Sequence, residues 1–169
     1  MNRKFLKGTL SIIFVLTVAF AARQYLNARE EAKYNEPTWM RGKEFAAMVS
    51  EDNLTLQYFR DKFPEREVLL ACEEDITGDK LMDLLVIYRE NGNTRLVAVC
   101  GSGGGNWYIS PEIPAPVENQ TIRFKNIDNE AEMEFIISGE KKGAFGYAVY
   151  RLIEGEIKDL FGEGMEDCC

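Results

Sequence analysis

Two stretches of this chain repeat each other. "DITGDKLMDLLV", from Asp75 to Val86, overlays "NIDNEAEMEFII", from Asn126 to Ile137, at a spacing of 51 residues. Ile76 falls over Ile127, Asp79 over Glu130, Met82 over Met133 and Asp83 over Glu134. Each copy is an acidic turn followed by an apolar segment and then a second one. A repeated supersecondary unit buries its apolar face against a neighbour, so the echo predicts a body built from a duplicated antiparallel β unit.

The patterning around the echo agrees. From Glu67 onward, "EVLLAC", "MDLLVIYRE", "TRLVAVC", "TIRFKNI", "MEFIIS" and "YAVYRLI" are short, rich in branched and aromatic residues, and divided by turn signals, which predicts strands. "LVIYRE-NGN-TRLVAV" predicts a hairpin, because Asn91-Gly92 supplies the positive-φ residues of a tight turn. Two short helices are expected earlier. "GKEFAAMVSED" carries Phe45, Met48 and Val49 at helical spacing. Asn53 is placed to cap "LTLQYFRDKF", which carries Leu56, Phe59 and Phe63 and ends at Pro64.

The N-terminus predicts export. Arg3, Lys4 and Lys7 precede the uncharged run "GTLSIIFVLTVAFAA". An uncleaved signal anchor with the body outside the cell membrane is the preferred reading, because no Gly or Pro breaks the pattern up to Pro37. A cleaved signal peptide and a secreted product is the alternative, supported by the small residues Ala19 and Ala21. The expected organisation is an anchor over 1–22, a polar helical stalk over 23–40, a β-rich domain over 41–162 and a flexible acidic tail over 163–169. The fold class is α+β and mainly β: an N-terminal membrane helix, short helices, then the duplicated unit.

Charge and composition narrow the chemistry. Five of the 20 lysines and arginines precede Glu30, which leaves 15 against 28 acids and a formal charge of −13 beyond residue 29. Such a body repels nucleic acid and attracts cations. Histidine is absent, which removes Ser-His-Asp and Cys-His catalysis and the zinc sites that need imidazole. A metal site must use carboxylate, carbonyl or sulfur.

Asp75, Thr77, Asp79 and Asp83 place oxygen ligands at alternating positions, as calcium requires. The turn resembles the D-x-[DN]-G-D-x-x-x-D loops of FG-GAP and VCBS-type propeller repeats, and that resemblance implies calcium; a side-chain-capped turn is the plainer alternative. Thr77 and Lys80 depart from the pattern, and two copies cannot close a propeller. "CGSGGGNWY" lacks the Lys-Ser/Thr of a phosphate loop and is expected as a hairpin connection, with Trp107 and Tyr108 beneath it.

Four cysteines in an exported chain suggest disulfides in one of three pairings. Cys72 and Cys100 each end an expected strand, where they either meet or serve as small buried residues. Cys168 and Cys169 are adjacent, and a bond between them would strain the peptide that joins them. A bridge from either back to Cys72 or Cys100 is the structural alternative. Glu163, Glu166 and Asp167 disfavour the thiolate, which suits a fast nucleophile badly and a soft cation well, since the metal displaces the protons itself. Gly162 and Gly164 are expected to give the tail reach.

An exported chain that closes on Cys168-Cys169 resembles the Cys-Cys-COOH (seleno)protein family called SaoC, and at this one point it is similar to mercuric reductases, which end in a vicinal cysteine pair. The resemblance implies thiol handling of a soft metal or organometal species, with a transporter system or a thioredoxin-like protein as partner. The expectation is a binding protein with Cys168 and Cys169 as ligands. The alternatives are a thiol-disulfide relay in which the same two residues are catalytic, and a structural module stiffened by calcium or disulfides.

Overall fold

The computed structural model describes residues 17, 18, 20–24, 45–103, 105–128 and 130–169. Contacts divide the chain into two units, Met1–Lys43 and Glu44–Cys169. In the first, the described residues 17, 18 and 20–24 are helical and exposed. The remainder of the expected anchor and nearly all of the expected stalk lie outside the described residues. No helix among the described residues is long and apolar enough to cross a membrane.

The second unit is mainly β. It opens with α1 (Leu54–Lys62), capped as its sequence predicts: the Asn53 side chain accepts the N–H of Leu56 at 3.0 Å. The helix expected around Phe45 does not form. Residues 45–50 have no regular structure, and Ala46 and Val49 donate their N–H groups to Ile122 and Ala71 at 2.9 and 2.8 Å. Helical spacing of apolar residues served a strap here, with backbone partners on two different strands in place of its own.

Nine strands follow among the described residues: β1 (Glu67–Glu74), β2 (Asp83–Glu90), β3 (Asn93–Gly101), β4 (Trp107–Ile109), β5 (Ile113–Pro114), β6 (Glu118–Lys125), β7 (Glu134–Lys141), β8 (Ala144–Ile153) and β9 (Glu156–Glu163). The first five form one antiparallel sheet in the order β1-β2-β3-β4, with β5 also on β3, and the last four form a second in sequence order. Six of these strands are the six expected. The chain ends in α2 (Met165–Cys168).

The repeat holds through the first three strands of each copy. β1, β2 and β3 begin at 67, 83 and 93, and β6, β7 and β8 begin 51 residues later, at 118, 134 and 144. The β2–β3 and β7–β8 hairpins both turn on two positive-φ residues, Asn91 (49°) and Gly92 (78°) in one copy, Lys142 (52°) and Gly143 (82°) in the other. β4 and β5 correspond to the single β9. Pro111, which has no N–H to donate, falls in the gap between β4 and β5.

The two sheets share one core. Leu85, Ile87, Leu96 and Ala98 of the first pack with Ile122, Phe135, Ile137, Ala148 and Tyr150 of the second. The other face of the first sheet, carrying Ala71, Leu84, Val86, Val97 and Val99, is covered by Leu56 and Phe59 of α1. Shifted by 51, the core residues of the second sheet fall on Ala71, Leu84, Val86, Val97 and Val99. Equivalent faces therefore point the same way, and the copies stack front to back.

Candidate functional site

The acidic loops show what the repeated carboxylates do. Asp83, buried at the start of β2, accepts at Oδ2 from the N–H of Ile76, the N–H of Thr77 and the Thr77 hydroxyl, at 3.0 to 3.1 Å. Its counterpart Glu134 accepts the N–H of Ile127 at 2.8 Å. Each loop folds back on the acid that opens the next strand, which explains why the echo keeps an acid and an isoleucine seven residues apart. The loops also meet: Met133 donates its N–H to Ile76 O at 3.2 Å, and a Cβ on Gly78 would lie 2.6 Å from Ala131 O.

The copies differ in how they balance the buried charge. Glu134, 1% exposed, pairs with Arg151, which also holds Asp128. The position equivalent to Arg151 is Cys100, a buried thiol. With a thiol in place of that arginine, burial pushes the Asp83 carboxyl up from its ordinary value, partly opposed by the Thr77 hydrogen bonds. Burial and the neighbouring Asp83 likewise push the Cys100 thiol up.

Asp75 and Asp79 turn inward on the same loop. Asp75 accepts from the N–H groups of Gly78, Asp79 and Lys80 at 2.8 to 3.1 Å, and Asp79 from that of Leu81 at 2.8 Å. Together with Thr77 and Asp83 these are the four residues expected to hold calcium. Their hydrogen bonds are those of a capped turn, and an ion there would compete with backbone N–H groups for the same oxygens. Among the described residues no three cysteine or carboxylate side chains gather into a metal-binding cluster.

Cys168 and Cys169 lie elsewhere, and the segment that carries them is folded. The tail expected to be flexible over 163–169 is the last residue of β9 followed by α2. Gly162 lies in β9 beside Ala148, where a Cβ would come within 3.1 Å of the Ala148 Cβ. Gly164 adopts φ 69° before α2, and a Cβ there would meet Phe145 O at 2.5 Å. Both glycines provide close approach, not reach. Gly146 of β8 leaves the room that Cys168 fills, since a Cβ on it would lie 2.7 Å from the Cys168 Sγ. Val117 donates its N–H to Cys168 O at 3.1 Å, and Lys141 Nζ donates to Cys169 O at 2.7 Å.

The result is a sulfur cluster at the rim of the sandwich. Cys168, 0% exposed, has its Sγ 3.4 Å from the Cys169 Sγ and 3.6 Å from the Met165 Sδ. All four cysteines are free thiols, so neither a bridge to Cys72 or Cys100 nor one between those two is formed. Burial raises the Cys168 thiol above its ordinary value, and burial together with Cys168 pushes Cys169 up to about 12; Lys141 opposes both shifts. Beside the cluster lies a cleft of about 320 Å³ lined by Pro114, Tyr150, Ile157, Met165, Glu166 and Cys169. A second, of about 500 Å³, shares Pro114, Met165, Glu166 and Cys169 and adds Arg95 and Lys141. Sequence reasoning missed Met165, although its spacing of three from Cys168 is the helical signal that brings them together.

No protein-family model, curated protein or solved structure matches this chain.

Proposed function

We propose that this protein is a binding protein whose Cys168-Cys169 dithiol captures a soft metal or organometal cation, on a chain held at the outer membrane surface by its N-terminal segment. The observation that carries the reading is the pair of free sulfurs 3.4 Å apart at the edge of a cleft. Burial keeps both thiols protonated near neutral pH, which makes them slow nucleophiles. A soft cation supplies its own driving force by displacing those protons. Lys141, close enough to act on both thiols, offsets the negative charge that two thiolates would bring.

Anaerobic titration of the reduced protein with Hg(II) tests this. One equivalent should bind, with release of two protons, and binding should disappear in the Cys168→Ser/Cys169→Ser double variant. An unchanged titration in that variant overturns the reading. A mixed disulfide with a thioredoxin-like protein, trapped by either single serine variant, would point instead to the redox relay.

A further inference from the structure

We propose that Met165 is a third ligand of this site, and that the three sulfurs make it a trigonal centre for Cu(I). This rests on the dithiol reading above and goes further, because it names the ion and adds a residue.

With metal–sulfur bonds of ~2.3 Å, two sulfurs in linear coordination stand ~4.6 Å apart, and two in trigonal coordination ~4.0 Å. The pairs Cys168–Cys169 and Cys168–Met165 stand at 3.4 and 3.6 Å. A trigonal ion opens each pair by roughly half an ångström, while a linear one would force the two cysteines apart by more than an ångström. Neighbouring cysteines at the end of a pinned helix resist that movement: Cys168 is held by its own N–H to Gly164 O at 3.2 Å and by Val117. The thioether is in place as well, because a single turn of α2 sets residues three apart side by side.

The chemistry selects the ion. Two thiolates and a neutral thioether form a soft set that suits Cu(I) and offers little to calcium or magnesium. On binding, the two S–H bonds break, both protons leave to solvent, the thioether donates a lone pair, and copper stays in the +1 state. The complex carries one net negative charge, next to the Lys141 ammonium. The apolar wall of Pro114, Tyr150 and Ile157 shields one side.

The test uses the full chain, reduced and anaerobic, with Cu(I) competed against a chromophoric chelator. Met165→Leu keeps volume and apolarity. It should weaken Cu(I) binding by about 10-fold or more. X-ray absorption at the copper edge should show three sulfurs in the parent and two in the variant. Should Met165→Leu disturb α2, selenomethionine labelling leaves the site intact and should place one selenium in the first shell of copper. Equal Cu(I) affinity in parent and variant, or no selenium neighbour, overturns the proposal while the dithiol reading stands. Loss of the dithiol dependence itself defeats both.

Discussion

At the scale of single residues, buried charge and buried sulfur dominate. Among the described residues Glu134 is paired with Arg151, whose side-chain exposure is 16%. Glu134→Ala should therefore lower stability in urea denaturation by about 3–5 kcal/mol, and Arg151→Ala should add little in that background. The thiols set an alkaline limit. Cys72 is pushed up by burial to about 11 from an ordinary 9.0, and Cys169 to about 12. A raised thiol keeps its proton in the folded state after the unfolded chain has lost it. Stability from these groups is thus whole below pH 9.0 and falls as pH rises toward 11 and 12. Thermal melts between pH 8 and 11 should show it, and a melting temperature that stays flat across that range would contradict it. The sequence showed the adjacent cysteines plainly but hid Met165, because a segment read as a loose tail gives no reason to look one helical turn back. Asp83 was legible as important and illegible as to its role, since a carboxylate that caps a loop and one that binds an ion occupy the same position in the pattern.

At the scale of elements, local chemistry was the most readable part. The Asn91-Gly92 hairpin and the Asn53 cap form as expected, because both depend on residues within a few positions of each other. Asn53→Ala should cost about 1 kcal/mol of stability. Elements fixed by distant partners were not readable. β4 and β5, of three and two residues, are too short to announce themselves, and β9 buries only Ile157. The strap at 45–50 copies a helix in its spacing but is held by β1 and β6. The seat of α2 gives a sharper expectation. A Cβ at Gly146 would stand 2.4 Å from Gly164 O and 2.7 Å from the Cys168 Sγ. Gly146→Ala should thus displace α2 and make Cys168 label faster with a thiol reagent, with the circular dichroism of the sheets retained. Unchanged labelling would show that α2 is held by something other than this contact.

At the scale of the whole globular unit, the shared core joins the two copies energetically. Cys72 and Leu85 of one sheet and Phe135 and Ile137 of the other belong to one buried cluster. Circular dichroism and labelling of Cys72 should therefore report the same urea midpoint; separated midpoints would mean that the copies unfold independently. The duplication was visible in only twelve residues of sequence, because elsewhere each position faces a different neighbour in the two copies: Ile87 answers to Ser138, Cys72 to Arg123 and Cys100 to Arg151. Those exchanges fall on the face of the second sheet that is turned away from the shared core. Units related by simple advance along an axis have no inherent last member, unlike a pair closed by a twofold. On that face of the second sheet, Arg123 and Ser138 are buried and Arg151 pairs with Glu134, where the first sheet carries two cysteines and an isoleucine. The two copies are in this sense steps of one ladder, and restoring greasy residues at those few positions is the change that would let that face receive a further rung.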